Sequence, residues 1–345
     1  MTDAKHIMHV LDDLSMGGVT RALKNFEHPE LAEFGAHNIV DIRQSRVRAT
    51  SPGDIAIVHF TANWKKMGWL ADLRYFGGFA RIILIEHTYT AGYEDSEVKP
   101  KRRFRQMLRF AYSLVDTVVA VSHAQRSWMC EHKLAPRDKV LAIPQSRVCD
   151  ALLELPPIER SEGPLQIRAF GRFHKQKGFD LLLEAMNRIP PHVAELKLAG
   201  AGPDEALLRS LAVGVSNVQI CRPFESPDAF LREADIVAIP SRWEAFGLVG
   251  TEARAAGRPI LAASVDGLRD QLNSQGFSHA PGSVSSIVRA IYKAAAASDL
   301  RECGVRAQAT AAQEYPSMIT RWAALLRVDV RLVNKSKLRE PAALF

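Results

Sequence analysis

The chain has 345 residues, 47% of them hydrophobic and 24% charged, with a formal net charge of +7. That length supports two packed domains, and no apolar run approaches the ~20 residues that a membrane-spanning helix needs. Cys130, Cys149, Cys221 and Cys303 are scattered, with no C-x-x-C pair and no histidine at ligand spacing, which argues against a disulfide framework or a zinc site. The N-terminus, MTDAKHIMHVLDD, lacks the apolar core of a signal peptide, so a cytoplasmic protein is expected.

Apolar strands alternate with helical patterns, the arrangement of parallel sheets covered by helices on both faces. A first series of strands is predicted near residues 6–12, 37–42, 55–60, 81–87, 117–122 and 140–144. After the first strand, Gly17 and Gly18 open a helix. A tight turn alone calls for such glycines, and without G-x-G-x-x-G and a following acid they do not make a dinucleotide site. His87 stands where the fourth strand runs out into Thr88, Tyr89 and Thr90, and strand C-termini are where α/β folds bind ligands. His59 ends the preceding strand and is a weaker candidate. Residues 99–112, KPKRRFRQMLRFAY, carry six basic groups and no acid, with Phe104, Met107, Leu108 and Ala111 at helical spacing. Such a helix suits either an anionic membrane surface, through the region Lys99 to Arg109, or a core-facing apolar side with a solvated basic one. No RRM, KH or zinc-finger pattern accompanies the charge, so nucleic acid is not an expected partner.

Residues 149–164, with Pro156-Pro157 and Gly163-Pro164, read as a linker between domains at 1–150 and 165–315. A helical segment at 316–345 is expected to return to the first domain. The second series of strands falls near 165–171, 195–199, 218–221, 235–240 and 259–263. Arg172 and Lys177 lie in the loop after its first strand, and Gly200 and Gly202 in the turn after its second. After the fourth comes PSRWEAFGLVGTEARAAG, which sets Glu244 before, and Glu252 inside, a helix predicted over 246–256. Gly247 leaves the first N–H groups of that helix uncovered. They and the dipole favour phosphate oxygens, while the carboxylates can accept from paired hydroxyls.

The two glutamates, separated by seven residues as E-AFGLVGT-E, resemble the donor-site signature of the retaining glycosyltransferases of family 4. AFGRFHKQKGFD, LAGAGPDEALL and the Gly17-Gly18 pair extend the resemblance over most of the chain. It implies the GT-B fold, two Rossmann-like domains facing a cleft. It also implies transfer of a sugar from a nucleotide-sugar donor to a hydroxyl acceptor, a glycan or a lipid-linked sugar, in bacterial surface polysaccharide or glycolipid assembly. By this resemblance Glu244 and His87 hold the transferred sugar. Phe246, Gly247 and Leu248 meet the diphosphate, Arg172 and Lys177 neutralise it, and Glu252 holds the ribose. Gly17, Gly18, Gly200 and Gly202 line the donor. No cofactor or metal is expected, since an arginine and a lysine can stabilise the leaving group and no D-x-D triplet occurs. The alternatives are a nucleotide-sugar epimerase of the same architecture and a catalytically silent binding subunit. The chain departs from the family pattern at Gln145-Ser146-Arg147, Pro223, Asp266-Gly267 and Asp270. These departures leave the hinge geometry and the nucleotide base open.

Overall fold

The computed structural model of the protein describes residues 5–14, 22–160, 162–224, 226–272 and 276–327. Two six-stranded sheets form, and every pairing between neighbouring strands is parallel. The first contains β1 (His6–Leu11), β2 (Ala36–Asp41), β3 (Ile55–Val58), β4 (Arg81–Glu86), β5 (Thr117–Ala120) and β6 (Val140–Ala142), in the order β2-β1-β3-β4-β5-β6. The second contains β7 (Leu165–Arg172), β8 (Ala194–Ala201), β9 (Val218–Cys221), β10 (Ile236–Ile239), β11 (Ile260–Ala263) and β12 (Phe277–His279), in the order β12-β11-β10-β7-β8-β9.

Side chains alternate across each strand, so one strand feeds two cores. Met8, Val10, Ala56, Val58, Ile82 and Leu84 point to one face of the first sheet, and Ile7, Ile57, Ile83, Ile85 and Val119 to the other. The second face is covered partly by Met318, Ile319, Trp322 and Leu326 of the helix Leu300–Arg327. This helix starts against the second sheet, where Leu300 joins the core, and Arg254 pairs with its Glu314 at 2.5 Å. It then crosses to the first domain around Pro316, where the missing N–H releases one helical carbonyl. The boundary drawn at 315 therefore falls inside a continuous helix. The linker at 149–164 is likewise not a free tether, because it contains a short helix, Asp150–Leu153, and buries Leu152, Leu155 and Ile158.

The register of the first sheet also sets out a row of histidines. His37 of β2 pairs in register with Ile7, two residues before His9, and His9 pairs with Ile57, two residues before His59. Val58 pairs with Leu84, which puts His59 level with Ile85, two residues before His87. Four adjacent strands thus each supply one imidazole to the same face, displaced by one pleat per strand. Diagonal neighbours at this offset lie within reach of ring side chains. The rings do meet: His37 Nδ1 and His9 Nε2 are 2.9 Å apart, His9 Nδ1 and His59 Nε2 2.9 Å, and His59 Nδ1 and His87 Nε2 3.4 Å. Phe26 packs against His9 with centroids 4.5 Å apart and seals the row under the helix that carries Trp322.

Burial disfavours the charged form of each ring, and the positive neighbour would add repulsion. His9 is held down to about 3 and His87 to about 4, with His59 well below and His37 below the ordinary histidine value of 6.5. The unfolded chain takes up protons at these sites near 6.5, while the folded one does not. Their contribution to stability is therefore complete above pH 6.5 and is lost as pH falls toward the folded values, by up to about 1.4 kcal/mol per pH unit for each histidine. Urea unfolding should give a clearly lower midpoint at pH 5.5 than at pH 7.5. Equal midpoints would contradict the neutral row.

Candidate functional site

Glu244 lies in the loop between β10 and the helix Leu248–Ala255 and is buried. Its carboxylate pairs with the Lys177 ammonium and accepts from Ser241 Oγ at 3.3 Å. The helix starts at Leu248, two residues later than expected, because Gly247 takes φ +94°. A Cβ there would lie 2.9 Å from Leu268 and 3.0 Å from Glu244, so both conformation and space select glycine. Phe246 is accordingly outside the helix, its side chain buried in the core beneath the first sheet. Gln271 Nε2 donates to the carbonyls of Phe246 at 2.6 Å and Gly247 at 3.1 Å. The amides of Phe246, Gly247 and Leu248 find no acceptor among the described residues. Three N–H groups at a helix start, beside a lysine, form a cradle for anionic oxygens.

Arg172 ends β7 and is exposed, with no hydrogen bond or ion pair among the described residues. Lys177 belongs to the turn Lys175–Lys177, and a Cβ on Gly171 would come within 4.0 Å of its Cε. The two cations thus flank one end of β7. Gly200 and Gly202 have a structural reason to be glycine. A Cβ on Gly200 would fall 2.0 Å from the Gly171 carbonyl oxygen, and one on Gly202 2.3 Å from that of Phe173. They let the end of β8 run directly beside Arg172, its neighbour in register through Ala201.

Glu252 sits within the helix, buried, and pairs with Arg147 from the segment that follows β6. The Gln145-Ser146-Arg147 departure therefore supplies a cation to the carboxylate expected to hold a ribose. Ser146 is buried, and its amide donates to the Met318 sulfur at 3.2 Å, tying the same segment to the long helix.

His87 is half-buried at the end of β4, in a loop fixed by residues that have no sequence motif. The buried Glu86 accepts from the Thr88 amide at 2.9 Å, the Tyr89 amide at 3.0 Å and Tyr112 Oη at 2.9 Å, while burial pushes its carboxyl up from the ordinary range. Gln125 Nε2 donates to the carbonyls of Glu86 and Tyr89 at 3.0 and 2.8 Å.

Asp266 joins the two halves. Its carboxylate accepts from Thr90 Oγ1 at 2.7 Å and the Gly92 amide at 2.9 Å in the first domain, and from the Glu244 amide at 3.1 Å in the second. Burial raises its proton affinity, and the three donors oppose that rise. Asp270 accepts from the amides of His123 and Ala124 at 2.6 and 3.3 Å, at the start of the helix His123–Glu131, and Lys175 pairs with Glu97 at 2.9 Å. Both acidic departures from the family pattern are thus contacts between the domains.

The structure brings Glu244 and Lys177 into contact and links the His87 loop to the Glu244 backbone through Asp266. In the same domain Glu252 pairs with Arg147, and Arg172 stands exposed at the end of β7. Gly17 and Gly18 lie outside the described residues. Among the described residues no group of three His, Cys, Asp or Glu is arranged to hold a metal ion. The basic stretch forms the helix Lys101–Ser113, but Met107, Leu108, Ala111 and Tyr112 are core. Its apolar side is consequently unavailable to lipid, and Arg105 is committed to Glu94 at 2.6 Å. No helix among the described residues is long and apolar enough to cross a membrane.

Residues 165–296 match the family model of the group 1 glycosyl transferases. Over 116 residues the chain is 39% identical to D-inositol 3-phosphate glycosyltransferase of Xylanimonas cellulosilytica, a stretch covering 31% of this chain and 28% of that protein. An uncharacterized glycosyltransferase of Methanocaldococcus jannaschii is 39% identical over 106 residues, 29% of this chain and 27% of its own. The chain thus spans under a third of the length of these curated relatives. Among solved structures, Anabaena HepE in complex with UDP superposes with a TM-score of 0.72 at 16% identity, covering 94% of this chain and 99% of that one. Sucrose-phosphate synthase from Thermosynechococcus elongatus gives 0.73 at 16%, covering 96% and 100%. WaaG, a glycosyltransferase involved in lipopolysaccharide biosynthesis, gives 0.67 at 17%, covering 93% and 99%. Two parallel-sheet Rossmann-like domains facing each other, as in these structures, give the chain the GT-B fold.

Proposed function

We propose that this protein is a retaining, metal-independent glycosyltransferase that moves a sugar from a nucleotide-sugar donor to a hydroxyl of a glycan or lipid-linked acceptor. The observation that supports this best is the cradle at residues 244–248. There a buried carboxylate, its lysine partner and three unused amides converge beside the loop that carries His87. In this reading the bond between the anomeric carbon and the donor phosphate breaks and the nucleoside diphosphate leaves with the electron pair. The acceptor oxygen bonds to the same face of that carbon, and its proton passes to the departing phosphate oxygen. Arg172, Lys177 and the amides of 246–248 stabilise the growing negative charge. Glu244 and His87 orient the sugar, and Glu252 accepts from the ribose hydroxyls once Arg147 yields. The match of residues 165–296 to group 1 glycosyl transferases, and the UDP bound to HepE of like fold, support the donor class. A role in surface polysaccharide or glycolipid assembly is consistent with WaaG among the structural neighbours.

The test is release of nucleoside diphosphate from nucleotide-sugars with and without added acceptor, in the presence of a chelator. Acceptor-dependent release is expected; interconversion of the sugar without release, or binding without turnover, would replace this reading by an epimerase or a silent subunit. Arg172→Ala should lower kcat/KM by about 2–4 kcal/mol of transition-state stabilisation. Glu244→Ala should depress transfer while sparing nucleoside diphosphate binding, and Glu252→Ala should weaken that binding by about 1–3 kcal/mol. Calorimetry with the nucleoside diphosphate alone separates the two glutamates. Equal losses of affinity in both would contradict their assigned roles.

Membrane contact, on this reading, is electrostatic and reversible. Arg102 and Arg103 are exposed on the helix Lys101–Ser113, which also carries the exposed Phe110. Each charge near an anionic surface contributes at most about 1 kcal/mol. Co-sedimentation with anionic vesicles should therefore fall with added salt and in Arg102→Glu/Arg103→Glu. Binding indifferent to lipid charge would contradict it.

A further inference from the structure

The histidine row has a direction, and one carbonyl sets it. His37 Nε2 lies 3.2 Å from the Leu31 carbonyl oxygen, which can only accept. A neutral imidazole has one donor and one acceptor nitrogen. His37 must therefore donate from Nε2 and accept at Nδ1, so the 2.9 Å bond runs from His9 Nε2 to His37. His9 Nδ1 then accepts from His59 Nε2 at 2.9 Å, and His59 Nδ1 from His87 Nε2 at 3.4 Å. Every ring nitrogen in the row is used except His87 Nδ1, which has no partner among the described residues and is not among the buried unpartnered atoms. His9 and His59 are 1% and 5% exposed, too enclosed for water to reverse the order.

We propose that His37, His9 and His59 are positioning residues that hold His87 as its Nε2–H tautomer, so that His87 offers the cleft a bare Nδ1 lone pair that takes a ligand hydroxyl. A group that presents only acceptors, such as a carboxylate or phosphate, is disfavoured there, whereas an O–H donor is oriented. The geometry thereby divides the site. The anionic part of a ligand belongs to Lys177 and the amides of 246–248, and a hydroxyl belongs to His87. Identifying that hydroxyl as the transferred sugar's rests on the transferase reading; the tautomer does not.

Long-range proton–nitrogen correlation of the full chain labelled with ¹⁵N-histidine tests the tautomers without any ligand, the signals being assigned through His37→Gln and His87→Gln. Four neutral Nε2–H rings are expected at pH 7. A His87 that is protonated at Nδ1, averaged between tautomers or cationic would overturn the proposal. His37→Leu removes the anchor at the half-buried end of the row and should shift His87 toward a tautomer mixture. His37→Gln, which can still donate to Leu31 and accept from His9, should restore the single form. An unchanged His87 spectrum in His37→Leu would overturn the relay. With a nucleotide-sugar and acceptor, kcat/KM should fall about tenfold in His37→Leu and recover in His37→Gln; no fall would overturn the part of the proposal that concerns the ligand. Failure of the transferase reading would leave the spectra as expected and remove only the kinetic difference.

Discussion

The candidate site depends on one buried carboxylate that accepts from both domains. Asp266 is 5% exposed and has φ +41°, an uncommon conformation for a residue other than glycine. It receives the Thr90 hydroxyl from the end of the loop after His87, the Gly92 amide from the first turn of the helix Ala91–Glu97, and the amide of Glu244. Hydrogen bonds to a charged acceptor are the stronger kind, and leaving three such donors without a partner is costly. Gly92 shows how close the approach is, since a Cβ there would meet Asp266 Oδ2 at 2.6 Å and Trp243 Cβ at 3.0 Å. The long helix Leu300–Arg327 supports the same closure from behind, with Glu314 bound to the second domain and Trp322 packed under the first sheet.

Around that junction the charges are sorted. Cations and free amides gather at the ends of β7 and β10, whereas the opposite wall offers the imidazole of His87, which burial holds well below the ordinary histidine range. Two carboxylates, Glu244 and Glu252, are each already paired with a cation, Lys177 and Arg147. On the proposed reading, a ligand rich in hydroxyls that also carries a diphosphate exchanges for both pairs. The Lys177 ammonium then turns to the phosphates, Arg147 yields, and the two carboxylates accept from the hydroxyls. This exchange avoids leaving any buried charge unpaired.

HIMHV, IAIVH and RIILIE stand out in the chain as short, mostly apolar runs, the pattern of parallel strands buried on both faces, and so the strands of the first sheet were legible. β12 was not: three residues, Phe277, Ser278 and His279, carry too little pattern to stand out from the loop around them. Glu244, Lys177, Arg172 and Glu252 could be singled out as candidates because their motif has fixed spacing. Asp266, Asp270 and Arg147 were visible only as departures from that motif, since their partners lie on the other domain, 174, 147 and 105 residues away. His59 and His87 could be picked out at strand ends, but the row also needs the order β2-β1-β3-β4, which no single strand encodes. Glu86 and Gln125, which fix the His87 loop, are ordinary residues until the fold brings them to Tyr112 and Tyr89.

The most direct measurement of whether this closure builds the site compares turnover and nucleoside diphosphate affinity in Asp266→Leu with those of the unaltered chain. Leucine keeps the bulk and removes every acceptor. The residues assigned to the nucleotide lie almost wholly on the second domain, so affinity for the nucleoside diphosphate should change less than threefold. Acceptor-dependent transfer should fall by about a hundredfold, the ~2.7 kcal/mol expected when reacting groups lose their mutual placement. Full transfer activity in a folded Asp266→Leu protein would contradict the account.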